Sequence, residues 1–465
     1  MTSFNPTRTT LLGAILAFAL ACGGGGGATT TPPAPQPPGN WQQPLLAGSG
    51  NKSGYEAAQT AMDGSGGALM VWRDQSTTAS TVRFRSYDPT RGGWQAVGDL
   101  APVTQPAFGA HVSLATTGEG MALWSQSDGK VNCVYARSWQ PGPSGGWGPI
   151  TLLSSGVFES AAAAVAMDPA GTSALALWAE KDDGTHYHLW ASRNTAGSGW
   201  STPVRIQNSP TDHLMGYPQL AVDANGHAIV AWEQAIDNTT ITGHTVWSAL
   251  FDGTWSSPVR HDTTSEALSP SVALSAAGAQ LAWGELQLVN GVNLRQIFTK
   301  RWKPASGTWG AAVRVSSPSE YAGNPALTLM DSGRTLLAWA QTVQPATKLG
   351  ISTSLSVDGE NWPAPTLLQG PSTRAGMPAP RLSTNAKGES NLVWEAAESD
   401  QVLRIYGVRH TATEGWGSVS ILNPGSTGDS YLPAVSVGAN GDALATWQKK
   451  DGSNPSSVFT CLFKK

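Results

Sequence analysis

Tryptophan recurs along this chain at a fixed interval, and the interval restricts the fold more than any other feature. One series closes apolar runs: Trp72, Trp124, Trp178, Trp232, Trp283, Trp339, Trp394 and Trp447. A second follows a turn: Trp41, Trp94, Trp147, Trp200, Trp255, Trp309, Trp362 and Trp416. Successive members of either series stand about 53 residues apart, and with eight in each the two account for sixteen of the 20 tryptophans. A period of that length with several short strand-like runs per unit predicts a propeller blade, not a helical solenoid repeat.

Each unit supplies four strand candidates, a to d. Strand a is the run before the first turn, such as 270–274, opened in several copies by Pro, which a strand tolerates at its first residue. The a-to-b turn is Asp-x-x-Gly in its best copies (Asp63 to Gly66, Asp168 to Gly171, Asp223 to Gly226). There Asp caps its own turn and Gly supplies the positive φ. Strand b is apolar on both faces, as in Ala68-Leu69-Met70-Val71-Trp72, which argues burial between two neighbouring blades. Strand c alternates, as in 245–250, and strand d begins at the second tryptophan.

The chain starts and stops out of phase. Trp41-Gln42-Gln43-Pro44-Leu45-Leu46 is a strand d with nothing before it, and the last repeat ends after its strand c at 458–463. The expected fold class is therefore all-β: an eight-bladed β-propeller of four-stranded blades, in which residues 41–47 complete the last blade and leave no long exposed edge. Seven blades, or a split pair of domains, is the fallback. The tryptophans of both series are expected to be buried.

Charged residues make up 13% of the chain and the net charge is -4, which excludes a basic footprint for nucleic acid or a polybasic membrane patch. Residues 1–22 read as a targeting segment: Arg8, an apolar run too short to span a bilayer, then Ala19-Leu20-Ala21-Cys22. This resembles a bacterial lipoprotein signal, with Cys22 the lipidated residue, although Ala19 stands where Leu is usual. Residues 23–40, rich in Gly, Thr and Pro, form a tether, and 41–465 a single propeller. Without Asp at position 23 the resemblance points to the outer membrane or cell surface; an ordinary signal would leave the protein secreted or periplasmic. Cys133 and Cys461 lie in apolar strand-like runs and are expected to be buried free thiols.

Ser356-Val357-Asp358-Gly359-Glu360-Asn361-Trp362 resembles, one residue short, the Asp-box of sialidase-type (BNR-like) propellers. Elsewhere only the Gly and Trp survive, as in Gly307-Thr308-Trp309. The resemblance implies a structural turn between the third and fourth strands, away from the active face. The sialidase arginine triad and Tyr–Glu nucleophile do not carry over, because Val82-Arg83-Phe84-Arg85 falls on strand c and Val204-Arg205-Ile206-Gln207 on strand d. The chain as a whole resembles uncharacterised bacterial lipoproteins built from such repeats.

Ligands of propellers gather where the d-to-a and b-to-c loops meet. Two residues past the strand b tryptophans come Asp74, Gln126, Glu180, Gln234, Glu285 and Gln341, with Glu233 and Glu395 one step earlier in their repeats. These read either as a polar ring able to bind a ligand or as solvated strand ends. The d-to-a loops add Tyr217, Tyr321, Arg374 and Tyr431, groups suited to carbohydrate or peptide contact. His186 and His188 share a strand face, but spacing places no third ligand, so no metal or cofactor is expected. The leading expectation is a surface-anchored, non-enzymatic binding or scaffold propeller with a glycan or protein partner. The alternative is a polysaccharide hydrolase or lyase using two carboxylates among Asp74, Glu180, Glu233, Glu285 and Glu395, held roughly 5–10 Å apart.

Overall fold

The computed structural model describes residues 40–49, 56–75, 80–143, 145–207, 213–216, 218–235, 243–264, 266–343, 348–370, 372–373, 377–450 and 456–465. The signal segment with Cys22, most of the tether, Tyr217 and Arg374 lie outside them.

The chain folds into eight antiparallel sheets, each one blade of an eight-bladed β-propeller. Seven blades are continuous in sequence: 59–99, 107–152, 160–205, 219–260, 267–314, 322–369 and 381–421. The eighth takes strands a to c from 430–464 and its outer strand from the N-terminus. Asn40 and Trp41 pair with Lys464 and Phe463, and Leu45–Ser49 pairs further along the same strand. The Gln42 amide donates to the Leu462 carbonyl at 2.7 Å, and the Trp41 and Phe463 rings meet edge to face with centroids 5.6 Å apart. Closure by the N-terminal strand is thus as the phase of the repeat predicts.

Neighbouring blades are stitched through their innermost strands. The amides of Met167, Leu327 and Val437 donate to the hydroxyls of Ser113, Ser271 and Ser383 on the preceding blade at 3.1, 3.2 and 3.1 Å. At the closing junction the Thr60 and Ser436 hydroxyls lie 3.4 Å apart. The a-to-b turns take the expected form: Asp63 accepts from the Ser65 and Gly67 amides, both at 2.8 Å, and Gly66 sits at φ 89°.

All eight strand b tryptophans are at most 1% exposed. Each packs into the blade before it: Trp178 on Leu123 and Val134, Trp232 on Leu177 and Leu189, Trp339 on Ile297. Facing aromatics on strand c stack on several of them, as Phe298 does on Trp283 and Tyr406 on Trp394. The second series corrects the expectation of uniform burial. These tryptophans are half-buried, because strand d is the outer strand of its blade. Strand d is also broken in several blades by Pro after the tryptophan (Pro44, Pro203, Pro258, Pro365). The resulting pieces, Gly199–Trp200 and Val204–Arg205 for example, are too short and interrupted to template pairing with another chain.

Cys133 and Cys461 are buried free thiols, and burial pushes the Cys461 thiol well up. The turn 356–362 joins strands c and d of the sixth blade. Asp358 accepts from the Glu360 and Asn361 amides at 2.9 and 2.8 Å, and Ser356 from the Gly359 amide at 2.8 Å. By topology the c-to-d and a-to-b turns share one end of the ring, and the d-to-a and b-to-c connections the other.

Candidate functional site

The polar positions after strand b are neither solvated ends nor an open ring. Gln126, Glu180, Gln234, Glu285 and Gln341 are all buried, between 1% and 7% exposed. Each accepts the indole N–H of the tryptophan two residues earlier, at 3.3, 2.9, 3.2, 2.8 and 2.9 Å respectively. The geometry follows from strand periodicity, which sends residues i and i+2 to the same face. The same side chains tether the incoming d-to-a connection: Glu180 accepts the Ser155 amide at 3.3 Å, and Glu285 the Thr263 amide at 3.0 Å and hydroxyl at 2.7 Å. Blade 7 has Ala396 at this position, and Gln369 of the neighbouring blade accepts from Trp394 instead. Blade 8 has Lys449, and the Trp447 indole nitrogen is buried with no partner among the described residues.

Of the five carboxylates named from sequence, then, Glu180 and Glu285 hold the scaffold. Asp74 is 8% exposed and pairs with Arg83 at 3.4 Å. Glu395 is half-buried on blade 7. The five lie on blades 1, 3, 4, 5 and 7, one to a blade. Tyr431 is half-buried and its hydroxyl meets that of Ser456. The His186–His188 pair gains His213 as a neighbour, with ring centroids 5.6 Å from His186. Among the described residues no three His, Cys, Asp or Glu side chains stand where they could hold a metal ion.

Glu233 and Tyr321 are different, because residues of three successive blades converge on them at the loop-bearing end. Glu233 is the penultimate residue of strand b of blade 4, and its carboxylate accepts the Ser269 amide of blade 5 at 2.7 Å and meets His244 Nδ1 at 3.2 Å. Arg295, on strand c of blade 5, donates to the Tyr321 hydroxyl at 3.2 Å, its guanidinium 5.9 Å from the centre of that ring. His244 is pushed up from the ordinary histidine value, chiefly by the hydrogen bond to Glu233, with burial and Arg295 opposing.

Two local devices build this arrangement. Strand a carries a bulge between Leu268 and Ser271 in blade 5 and between Gly323 and Ala326 in blade 6, and Ser269 and Asn324 sit there at φ 56° and 52°. Such conformations cost a non-glycine residue on the order of 1 kcal/mol and persist where surroundings enforce them. Glu233 does so for Ser269, as Glu56 does for Gly109 in blade 2, whose amide it accepts at 3.0 Å. The second device is space. At Gly284 a Cβ would lie 3.0 Å from Arg295 Cδ, and at Gly323 it would lie 2.6 Å from Met377 Sδ. Other repeats place Arg73, Ser125, Ala179 or Ala340 where blade 5 has Gly284, so the room is particular to this blade.

Arg295 also belongs to the longest hairpin among the described residues, Gly278–Val289 and Val292–Lys303, turned by Asn290 (φ 50°) and Gly291 (φ 80°). Its tip exposes Leu288 (72%) and Val292 (56%) beside the cluster. The structure also has a depression of about 250 Å³ lined by Trp41, Gln43, Pro44 and Ile421, which follows the closure seam and not the mouth.

Sequence reading missed His244 and Arg295, which occupy no repeated position. The Asn290-Gly291 pair between Val289 and Val292 is a hairpin signal that marks the prong from sequence alone.

Ring and mouth together define the class, an eight-bladed β-propeller with an irregular polar site on one end. No family model matches the chain, and no curated protein matches it. Among solved structures it is similar to the Dos1 propeller (TM-score 0.51, 10% identity, covering 91% of this chain and 94% of that one). It is also similar to the BP39L lectin from Burkholderia pseudomallei (TM-score 0.47, 14% identity, covering 79% and 99%). A third is a polysaccharide lyase described as an ulvan lyase (TM-score 0.48, 9% identity, covering 92% and 95%). At these identities what is shared is the fold.

Proposed function

We propose that this protein is a binding propeller that takes a carbohydrate ligand at the loop-bearing end, over blades 4 to 6. The observation carrying this reading is the cluster of Glu233, His244, Arg295 and Tyr321, drawn from three blades at positions the repeat leaves free. Aromatic, cationic and carboxylate groups side by side can stack on a sugar ring and exchange hydrogen bonds with its hydroxyls. The exposed hairpin tip of Leu288 and Val292 adds an apolar wall. A binding role accounts for this site better than paired-carboxylate hydrolysis, since two of the candidate acids are engaged by buried indoles. A glycan array tests the reading: the wild-type protein gives specific signals that disappear when 286–295 is replaced by a short turn, and an array blank for both proteins refutes it.

We further propose that Cys22 is lipidated and the tether holds the propeller at the outer membrane of a bacterial cell. Metabolic labelling with a fatty-acid probe checks this: Cys22→Ser abolishes labelling and releases the protein from the membrane fraction. Equal fractionation of both proteins contradicts it.

A further inference from the structure

Several arginines of this propeller are held by carboxylates or backbone carbonyls, whereas the Nε of Arg83, Arg295 and Arg334 is buried without a hydrogen-bond partner among the described residues. Arg73 pairs with Glu56, Arg260 with Asp262, Arg404 with Asp400 and Arg409 with Glu389. Arg85 and Arg137 donate to backbone carbonyls of strand d. Arg295 is half-buried, yet its one hydrogen bond among the described residues goes to the Tyr321 hydroxyl. Among the described residues its buried Nε has no partner, and no carboxylate stands within 4.0 Å of the guanidinium. Glu233, the carboxylate of the cluster, already holds the Ser269 amide and His244.

A guanidinium presents five N–H donors in a planar fork matched to a two-oxygen anion, and leaving the buried Nε–H without an acceptor is costly. Gly284 leaves room for the arginine stem, and Tyr321 flanks the head, setting the guanidinium 5.9 Å from the centre of its ring. We infer that Arg295 and Tyr321 form an oxyanion subsite that receives the carboxylate or sulfate group of an acidic glycan. The inference rests on the carbohydrate-binding reading and narrows its ligand to anionic saccharides. The fork accepts the anion in a bidentate pair, and the Tyr321 hydroxyl, which accepts from Arg295, has its own proton to donate to a third oxygen.

Isothermal titration of the full chain with three oligosaccharides tests this: an oligogalacturonate, a sulfated dextran oligomer and a neutral cello-oligosaccharide. The subsite predicts binding of an acidic oligomer at least tenfold tighter than of the neutral one, the better of uronate and sulfate naming the anion. Arg295→Gln removes that preference, Tyr321→Phe weakens it several-fold, and Arg295→Lys restores part of it, because a point charge replaces the fork. Thermal melts of each variant separate lost binding from lost folding, and Tyr321→Phe carries the test should Arg295→Gln melt early. Neutral and acidic oligomers binding alike, or Arg295→Gln binding as wild type, overturns the subsite and leaves the carbohydrate reading standing. Binding of none of the three by the wild type overturns both.

Discussion

The indole N–H of Trp283 donates to the Glu285 carboxylate two residues further along the same strand, at 2.8 Å, and both side chains are at most 1% exposed. The carboxylate also accepts the Thr263 amide and hydroxyl, so one side chain locks strand b to the loop entering its blade. Glu285→Ala leaves these donors buried and unmet and is expected to cost about 3 kcal/mol in denaturant unfolding. Glu285→Gln costs less, about 1 kcal/mol, since Gln126, Gln234 and Gln341 serve the same indole position in other blades. Equal losses for the two variants would contradict this role.

The two tryptophan series differ in burial, and stability should follow. Trp232→Ala or Trp339→Ala, at fully buried sites, is expected to lose roughly 3–5 kcal/mol. Trp255→Ala, at a half-buried site on strand d, loses less. Urea unfolding of the three variants checks the order.

Closure depends on a short N-terminal strand. Removing residues 1–49 uncovers the strand Ser457–Lys464 and deletes the Trp41 contact with Phe463, creating a long unpaired edge. Light scattering is expected to show association or aggregation of this truncation, whereas a protein beginning at Gly39 stays dispersed with the wild-type melting temperature.

Histidine burial sets the acid limit. Burial, with Lys300 adding, pushes His261 down to about 3, and burial pushes His213 down to about 4. The unfolded chain binds these protons near pH 6.5 and the folded protein does not, so stability falls as pH drops from about 6.5 toward 3. His261→Gln, keeping a partner for the Ser248 hydroxyl 2.8 Å away, flattens that fall. His244 has the opposite sign. Raised by Glu233, it contributes stability below its unfolded pKa that is lost as pH rises through its folded pKa, and Glu233→Gln removes that contribution. Unfolding midpoints between pH 4 and 9 separate the two effects.

Much of the ring was legible in the sequence because a blade cannot bury its faces alone, and repeating that requirement imprints a period on the chain. Trp41 and the truncated last repeat even disclosed the closure. The role of Glu180 and Glu285 was not legible: residues two apart share a strand face, but whether a carboxylate there meets solvent or an indole depends on the loop folded over it. The candidate site was legible only in part. Glu233 and Tyr321 stood out as polar groups near strand ends, whereas His244 and Arg295 acquire meaning only when blades 4, 5 and 6 bring them together. Gly284 has the weakest sequence signal of all, since its contribution is the volume it leaves for Arg295.

The placement of the binding face on blades 4 to 6 is tested most directly by hydrogen–deuterium exchange with and without a glycan selected on the array. Ligand is expected to slow exchange in 286–295, 243–246, 266–270 and 321–325, leaving the a-to-b turns at Asp63, Asp168 and Asp223 unchanged. Protection confined to those turns or to the outer strands, with the blade 5 hairpin unaffected, would contradict the account.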